Sequence, residues 1–235
     1  MFRKFYPYID YQSQLKQTVM PIFQKPTAKV SIVPRLSVIS STASSLLERS
    51  TEIRVVTSKD YKAAAVCLSN AFSKDEVAGY FLDCPDTACW SDERRWELHA
   101  EIMDAITYAH VKFGAVHAIG DIHDGAYDAV ALWMPPGTNM DSYLALFRTG
   151  VLCKGLVAFT KLSKEGRIRM FKEFIPLLSI AKTEILKERD STSWYLVYLG
   201  THSRARGRGL AKKLVNRVTQ QVSSATPSLL MKFAE

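Results

Sequence analysis

Apolar and polar residues follow three successive patterns within Trp194–Val222. The run Trp194–Leu199 is apolar and aromatic throughout, which predicts a buried strand. Two glycines at a spacing of two, Gly207 and Gly209, then predict a turn. From Leu210 onward, leucine and valine recur at intervals of three and four without proline or glycine, which predicts an amphipathic helix. The stretch therefore predicts a strand, a glycine turn and a helix, in that order.

A folded domain is predicted to begin after the serine-rich stretch that ends at residue 50. Glu52–Thr57 alternates between polar and β-branched residues, which predicts a strand. Thr57 or Ser58 is suited to cap the helix that follows. The apolar face of that helix comprises Ala64, Ala65, Leu68, Ala71 and Phe72.

A longer helix is predicted between Ser91 and Gly114. Ser91 is a suitable N-cap, and the acidic residues directly after it favour the positive end of the helix dipole. His99 and His110 lie eleven positions apart on this helix, too far to share a metal ion by spacing alone. We interpret both as surface or packing residues.

Two further strands, Ala115–Ile119 and Tyr127–Met134, are predicted to form a hairpin. The dipeptide Asp124-Gly125 between them is a strong hairpin turn signal. Turns of this kind favour aspartate, and this requirement explains the polar side chains around it without a metal ion. Those side chains are His117, Asp121, His123 and Asp124.

Residues 139–190 are predicted to be a helical insertion between the third and fourth strands. Val151–Leu162 and Arg167–Lys187 are amphipathic, and Pro176 predicts a kink in the second of them. After the glycine turn and its helix, Ser228–Phe233 is suited to a fifth strand, and the printed sequence then ends.

Charge is distributed unevenly along the chain, which has a net charge of +8. Residues 1–50 carry +5, residues 51–200 carry −3 and residues 201–235 carry +6. An acidic body argues against a general nucleic-acid surface, whereas a basic cluster at the glycine turn favours one anionic ligand. The four cysteines show no CxxC spacing and predict reduced, buried thiols.

The targeting and membrane signals favour a protein without a membrane span. The longest apolar run is interrupted by basic residues, so no transmembrane helix is predicted. Residues 1–50 are rich in Ser, Thr, Lys and Arg and nearly free of acid. This composition fits either a disordered extension of a cytoplasmic protein or a mitochondrial targeting segment.

The glycine turn has the spacing of a phosphate-binding loop. Neither the GxxxxGK[ST] loop nor the three-glycine dinucleotide fingerprint is present. The run Arg204–Gly209, sequence RARGRG, fits the pattern [QR]xxGx[GA]. In this pattern, and in the strand before it and the helix after it, the chain resembles the GNAT N-acetyltransferases. The alternative is a basic turn before an ordinary surface helix.

A second pattern supports the same resemblance. The third strand ends in Trp133-Met134-Pro135-Pro136-Gly137, which is similar to the WxPPG strand end and helical insertion of a microbial, often fungal, branch of the GNAT family. Trp133 either lines the acyl cleft or belongs to the core, and we favour the core. The resemblance implies an α/β (α+β) fold, with a mixed sheet flanked by helices, that spans residues 51–235.

The resemblance also implies acetyl-CoA as the acyl donor and no metal. The loop would hold the pyrophosphate, the arginines would add charge, and Lys212 or Lys213 would reach the 3′-phosphate. The end of the fourth strand would pair with the pantetheine arm, and Gly200 would suit a bulge there. The implied donor-site residues are Leu199, Gly200, Thr201, Arg204, Arg206, Gly207, Arg208, Gly209, Leu210, Ala211 and Lys212.

The acceptor side and the catalytic groups are less well defined. The segment Ser73–Asp83 follows the first helix, where the family places a border of the acceptor site. Its polar residues either meet an amine or belong to a solvated loop. Weak candidates for proton transfer are Tyr198, Tyr195, His202 and Asp75. By simple alternation, Trp194, Leu196 and Tyr198 are predicted to share one face of the strand.

Two functions remain open at this stage. The first is an acetyl-CoA-dependent N-acetyltransferase acting on an amine of a small molecule or protein. The second is a catalytically incomplete GNAT-like protein that binds CoA or a partner, because the family's elements after the fifth strand are expected to be missing or to be completed by a partner. The acceptor amine and the oligomeric state are not predicted.

Overall fold

A four-stranded antiparallel sheet organises the described part of the chain. The structure, a computed structural model, describes residues 51–138 and 151–225. The strands, in the order in which they pair, are β1 (Ile53–Val55), β2 (Ala115–Ile119), β3 (Ala129–Met134) and β4 (Tyr195–Thr201). All four predicted strands are confirmed, although β1 is shorter than expected and β3 begins two residues later.

Helices cover both faces of this sheet. The α-helices are α1 (Tyr61–Ala71), α2 (Glu76–Leu82), α3 (Asp92–Phe113), α4 (Val151–Thr160), α5 (Lys164–Ile168), α6 (Ile175–Leu186) and α7 (Leu210–Ala225). A π-helical segment (Arg169–Phe174) joins α5 to α6, and 3-10 turns occur at Pro85–Thr87, Lys187–Thr192 and Ser203–Ala205. The α+β fold class is therefore confirmed. The candidate fifth strand, Ser228–Phe233, lies outside the described residues.

The two faces of the sheet bury different hydrophobic clusters. Val116, Leu132 and Val130 pack beneath α1 and α3. Ile119 and Trp133 pack on the opposite face, against Leu210, Leu214 and Val218 of α7. Trp133 is 5% exposed, so its assignment to the core is confirmed. The sheet thus lies between the α1 and α3 pair and α7.

Helix α3 follows its local signals closely. The Ser91 hydroxyl accepts a hydrogen bond from the Arg94 N–H at 3.2 Å, and the helix ends at Gly114. His99 and His110 are buried packing residues rather than surface residues. A serine cap therefore determines the start of this helix locally, whereas Gly114 is required because a Cβ there would lie 2.3 Å from the Trp133 carbonyl oxygen.

One prediction about a helix start is wrong, and one segment with two open interpretations contains a helix. Helix α1 is not capped by Thr57 or Ser58; it begins after Asp60, whose carboxylate accepts the Thr57 N–H at 2.7 Å. The segment Ser73–Asp83, for which a solvated loop was one alternative, contains α2. Asp75 caps it by accepting the Ala78 N–H at 3.3 Å. Asp60 binds Thr57 ahead of its helix, whereas Asp75 accepts an N–H of the first turn of α2.

Strand β4 contains a bulge at Val197, and this bulge overturns the predicted alternation. Leu132 pairs with Tyr198, but the next residue, Trp133, pairs with Leu196. The extra residue places Val197 and Tyr198 on the α1 and α3 face, while Leu196 packs on the α7 face. Tyr198 therefore does not share a face with Leu196, because a bulge shifts the period-two pattern by one residue.

Gly200 is not the bulge residue, contrary to prediction. It pairs regularly with Val130. A Cβ at this position would lie 2.8 Å from Leu68 Cδ2 and 2.9 Å from Ala71 Cβ. Glycine is present because α1 packs directly against the backbone of β4 there.

The predicted insertion is helical through α4, α5 and α6; its first part, 139–150, lies outside the described residues. The kink expected at Pro176 stays a prediction; the proline lies in the first turn of α6, directly after the π-helical segment. The segment is fastened to α2, since Arg169 donates to the Tyr80 carbonyl at 3.1 Å and the Tyr80 hydroxyl donates to Glu173. The insertion therefore packs over α2 and α3.

The prediction that the cysteines are buried thiols is correct only in part. Cys67 and Cys84 are buried and free, but Cys89 is exposed, so the expectation that all thiols are buried is wrong. The side chain of Cys153 lies outside the described residues. Within the described ranges, no helix has both the length and the apolar composition of a membrane span.

Candidate active site

The glycine turn forms an open loop at the start of α7. Gly207 and Gly209 have φ values of 76° and 71°, in the left-handed region that favours glycine. No atom lies within 4 Å of the place where a Cβ would stand at either glycine. The helical ladder begins with the Lys213 N–H, which donates to the Gly209 carbonyl at 3.2 Å. The N–H groups of the first turn precede this ladder and face an anion-binding position.

Asp128, at the end of the β2–β3 hairpin, holds two of the loop arginines. Its carboxylate accepts from Arg204 Nε at 3.2 Å and from Arg208 Nη1 at 3.0 Å. Arg204 also donates to the carbonyls of His123 and Ala126, at 2.9 and 2.7 Å. The Asp128 side chain is only 9% exposed. Both guanidinium groups are therefore committed to the protein in this state.

Arg206 and Ser203 connect the loop to α1. Arg206 donates to the Ala71 carbonyl at 3.2 Å, and the Ser203 N–H donates to Asn70 Oδ1 at 2.8 Å. The C-terminal end of α1 thus braces the segment that precedes the glycines. The expected contacts of Arg204, Arg206 and Arg208 with phosphate remain predictions, since their side chains bond to protein acceptors in this structure.

The residues expected to line the donor are placed at the end of β4. Thr201 pairs with Ala129, and Leu199 pairs with Ala131 while packing on the α7 face. On its other edge, β4 pairs with no strand among the residues that the structure describes. That edge leads directly into the glycine loop, so strand and loop form one continuous surface.

A cavity of about 220 Å³ lies on the α1 and α3 face of β4. Two of the candidate catalytic residues, Asp75 and Tyr198, line it together. Tyr195 is not among the described lining residues; its ring lies 5.9 Å from Lys182 Nζ of α6. His202 lies at the loop instead, where its ring accepts from the Arg204 N–H at 3.4 Å. The structure thus brings Asp75 and Tyr198 to one site and leaves the other two outside it.

Burial determines the protonation of the groups in and around the cavity. It raises the pKa of Tyr198 to about 12, with a further contribution from the negative charge of Asp75. The phenol is therefore protonated at neutral pH and can donate a proton but not accept one. Burial also lowers the pKa of His99 and of His110, so both rings are neutral at pH 7.

Sequence reasoning missed Asp128 and the buried histidines of this region as site residues. Asp128 contacts arginines 76 and 80 positions away, a separation that periodicity and motifs do not reveal. Its one local signal is an acidic residue beside an otherwise apolar strand. In the described ranges, no group of three His, Cys, Asp or Glu side chains is placed to hold a metal ion.

Comparison with known proteins gives one similarity that bears on function. A Schizosaccharomyces pombe protein named an uncharacterized N-acetyltransferase is 39% identical to the chain over 163 residues. The similarity covers 69% of this chain and 60% of the relative, so the matched part is less than two thirds of that protein. No family model matches the chain.

Proposed function

We propose that the chain is a GNAT-type N-acetyltransferase that transfers the acetyl group of acetyl-CoA to an amine. The observation that carries the proposal is the open glycine loop between β4 and α7, with both glycines in the left-handed region and the first turn of α7 directly after them. The N-acetyltransferase name of the yeast relative and the α+β fold support it.

In this proposal the donor lies along β4 and the loop. The backbone N–H groups of 206–211 bind the pyrophosphate, and a helix N-terminus of this kind favours negative charge. The edge of β4 that pairs with no described strand binds, at Leu199–Thr201, the amides of the pantetheine arm. The bulge at Val197 lies upstream on the same strand, next to the cavity, so the thioester end of the donor would lie near Tyr198.

The proposed reaction takes place beside β4, where the thioester end of the donor meets the residues of the cavity. A neutral amine attacks the thioester carbonyl, the new C–N bond forms, the C–S bond breaks, and the thiolate leaves with a proton. Tyr198 is suited to supply that proton because its hydroxyl is protonated at neutral pH. Asp75 or a water molecule would accept the proton of the amine. A strand N–H would stabilise the oxyanion of the tetrahedral intermediate.

Calorimetric titration of the full chain with acetyl-CoA tests the donor site. We expect the parent to bind and Gly207→Trp to bind at least about 10-fold more weakly, because an indole would fill the open anion position. Gly137→Trp is the matched control. Gly137 also has a positive φ, of 69°, and no atom within 4 Å of a Cβ. It follows the C-terminal end of β3, away from the glycine loop.

Three outcomes separate the functions. No binding by the parent, or equal loss in the two tryptophan variants, would contradict an acetyl-CoA loop. Binding together with thiol release in the presence of an amine would support the transferase. Binding without thiol release across a broad amine panel would leave the alternative, a catalytically incomplete GNAT-like protein that binds CoA or a partner.

A further inference from the structure

The cavity beside β4 has an apolar wall contributed by several elements. Helices α2, α3, α4 and α6, the π-helical segment, Phe72 at the end of α1 and the bulge of β4 surround a volume of about 220 Å³. This is below the roughly 300–1,000 Å³ typical of sites for drug-sized ligands, so a ligand must be small. Its apolar lining includes Phe72, Phe81, Ile102, Met103, Phe174 and Leu178.

One buried polar atom in this wall has no hydrogen-bond partner among the described residues. His110 lines the cavity and is 3% exposed. Its Nδ1 lies 2.8 Å from the Ile106 carbonyl, and because a carbonyl can only accept, Nδ1 carries the proton. The neutral ring then leaves Nε2 as an acceptor, and no described residue donates to it. A buried acceptor of this kind is destabilising unless a ligand or water supplies a donor.

The charge at the cavity is negative. Among the described lining residues Asp75 is the charged one, and it is half-buried. Asp75 Oδ2 caps α2, and its charge acts on Tyr198 and His99. It adds to the burial that raises the pKa of Tyr198 and opposes the burial that lowers the pKa of His99. Since the described lining has one anionic group and no cationic one, the two histidine rings being neutral, the cavity favours a cation over an anion.

We propose that this cavity is the acceptor site and that it takes a small primary amine carried on an aromatic or branched aliphatic group. The apolar group lies between α3 and α6, an N–H of the amine donates to His110 Nε2, and Asp75 attracts the incoming ammonium ion. His110 is then a specificity-determining residue that positions the amine. This inference rests on the proposed function and adds the class of acceptor to it.

The probe is 2-phenylethylamine, compared with ethanolamine, a polar amine of similar basicity. Both are titrated calorimetrically into the full chain, with and without CoA. We expect 2-phenylethylamine to bind at least about 10-fold more tightly, because its ring is removed from water in the cavity. Equal affinity, or tighter binding of ethanolamine, would overturn the proposal.

Paired histidine variants test the role of His110. His110→Phe keeps an aromatic ring but removes the acceptor, and we expect about 3- to 10-fold weaker binding of 2-phenylethylamine. His117→Phe is the control, since His117 is also buried with an unpartnered ring nitrogen but packs toward α7, near Arg217. Equal effects of the two variants, or none from His110→Phe, would contradict the assignment.

Two further variants keep the proposal testable if His110→Phe does not fold. Ala78 is half-buried on α2 and lines the cavity, so Ala78→Phe places a ring in the cavity. This variant should abolish amine binding while leaving acetyl-CoA affinity unchanged. Asp75→Asn keeps a good helix cap but removes the charge, and it should erase the preference for 2-phenylethylamine over 2-phenylethanol. Unaltered amine binding in both folded variants would show that the ligand lies elsewhere.

The two proposals fail in different ways. If acetyl-CoA binds and thiol is released only with polar amines, the transferase stands and the apolar acceptor site is wrong. If 2-phenylethylamine binds in a His110-dependent manner but acetyl-CoA does not bind, the ligand class of the cavity stands and the transferase is wrong.

Discussion

Asp128 joins the β2–β3 hairpin to the loop that precedes α7. Its carboxylate accepts from two arginines, and its backbone carbonyl accepts the His202 N–H at 2.9 Å. The side chain also lies against Gly120, where a Cβ would approach it to 2.8 Å. One residue therefore determines the position of the arginines and requires a glycine on the neighbouring strand end.

Replacing Asp128 should destabilise the protein substantially. Asp128→Asn removes the charge that pairs with Arg204 and Arg208, whose side chains are 28% and 40% exposed. Loss of one partner of a fully buried pair costs about 3–5 kcal/mol, and partial solvation of the arginines reduces this to about 1–3 kcal/mol. Urea unfolding monitored by circular dichroism measures the change.

Asp121→Asn provides the control for this measurement. Asp121 pairs with Arg54 at 2.6 Å, but the two side chains are 48% and 41% exposed. An exposed pair contributes at most about 1 kcal/mol. A loss at Asp128 no larger than the loss at Asp121 would show that the loop does not depend on this contact.

The residues of the candidate site differ in how far the sequence could predict them. Gly207 and Gly209 were predictable because a positive φ in a tight turn is a local requirement. Asp128 was not predictable, because its partners are distant in sequence and only the folded hairpin brings them together. The cavity was not predictable either, since its wall combines residues from α2, α3, α4, α6, the π-helical segment and β4.

At the level of elements, β4 packs against α1 without any space for a side chain at Gly200. Gly200→Ala would place a methyl group 2.8 Å from Leu68 Cδ2 and 2.9 Å from Ala71 Cβ. Overpacking of this kind costs about 1–3 kcal/mol, so we expect a loss of stability of that size. Thermal and urea unfolding of the variant measure it.

Gly79→Ala is a matched substitution with the opposite expectation. Gly79 lies inside α2, and a Cβ there has no atom within 4 Å. Alanine in a helix interior is favoured over glycine by about 0.5–1 kcal/mol, so this variant should be more stable than the parent. Similar losses at both positions would mean that steric contact with α1 is not the cause.

Elements with strong local signals were predicted well, and those determined by tertiary contacts were not. Helix α3 has a serine cap and a glycine end, and β2 has clear flanking turns, so their bounds match the prediction. The side chain of Tyr198 was assigned to the wrong face because the bulge at Val197 depends on pairing with β3. Periodicity describes a regular strand and cannot report an extra residue in it.

For the whole molecule, histidines make stability sensitive to mild acid. The pKa values of His99, His110 and His117 are lowered, in each case chiefly by burial, and the pKa of His202 is lowered as well. The folded state therefore binds fewer protons than the unfolded state just below the unfolded pKa of about 6.5. Their contribution to stability is present above pH 6.5 and is lost as pH falls below it.

We therefore expect the free energy of unfolding to fall between about pH 6.5 and 5. The slope can reach about 1.4 kcal/mol per pH unit for each histidine that stays neutral in the folded state. Urea unfolding at several pH values measures this slope, and His117→Phe should reduce it by the share of one histidine. A free energy of unfolding that does not change over this range would contradict the assignment of neutral rings to the buried histidines. Asp60, whose pKa is lowered, contributes stability that is lost only below about pH 4.

The bulge at Val197 separates two tasks that a regular strand would combine. Val197 faces no residue across the β3–β4 ladder, yet its side chain lines the cavity. A substitution there changes the shape of the cavity without changing the registered pairs that hold β4 in the sheet. Within the proposed acceptor site, a substitution at Val197 can therefore change ligand preference while the sheet is retained, which makes this position a starting point for redesign of selectivity.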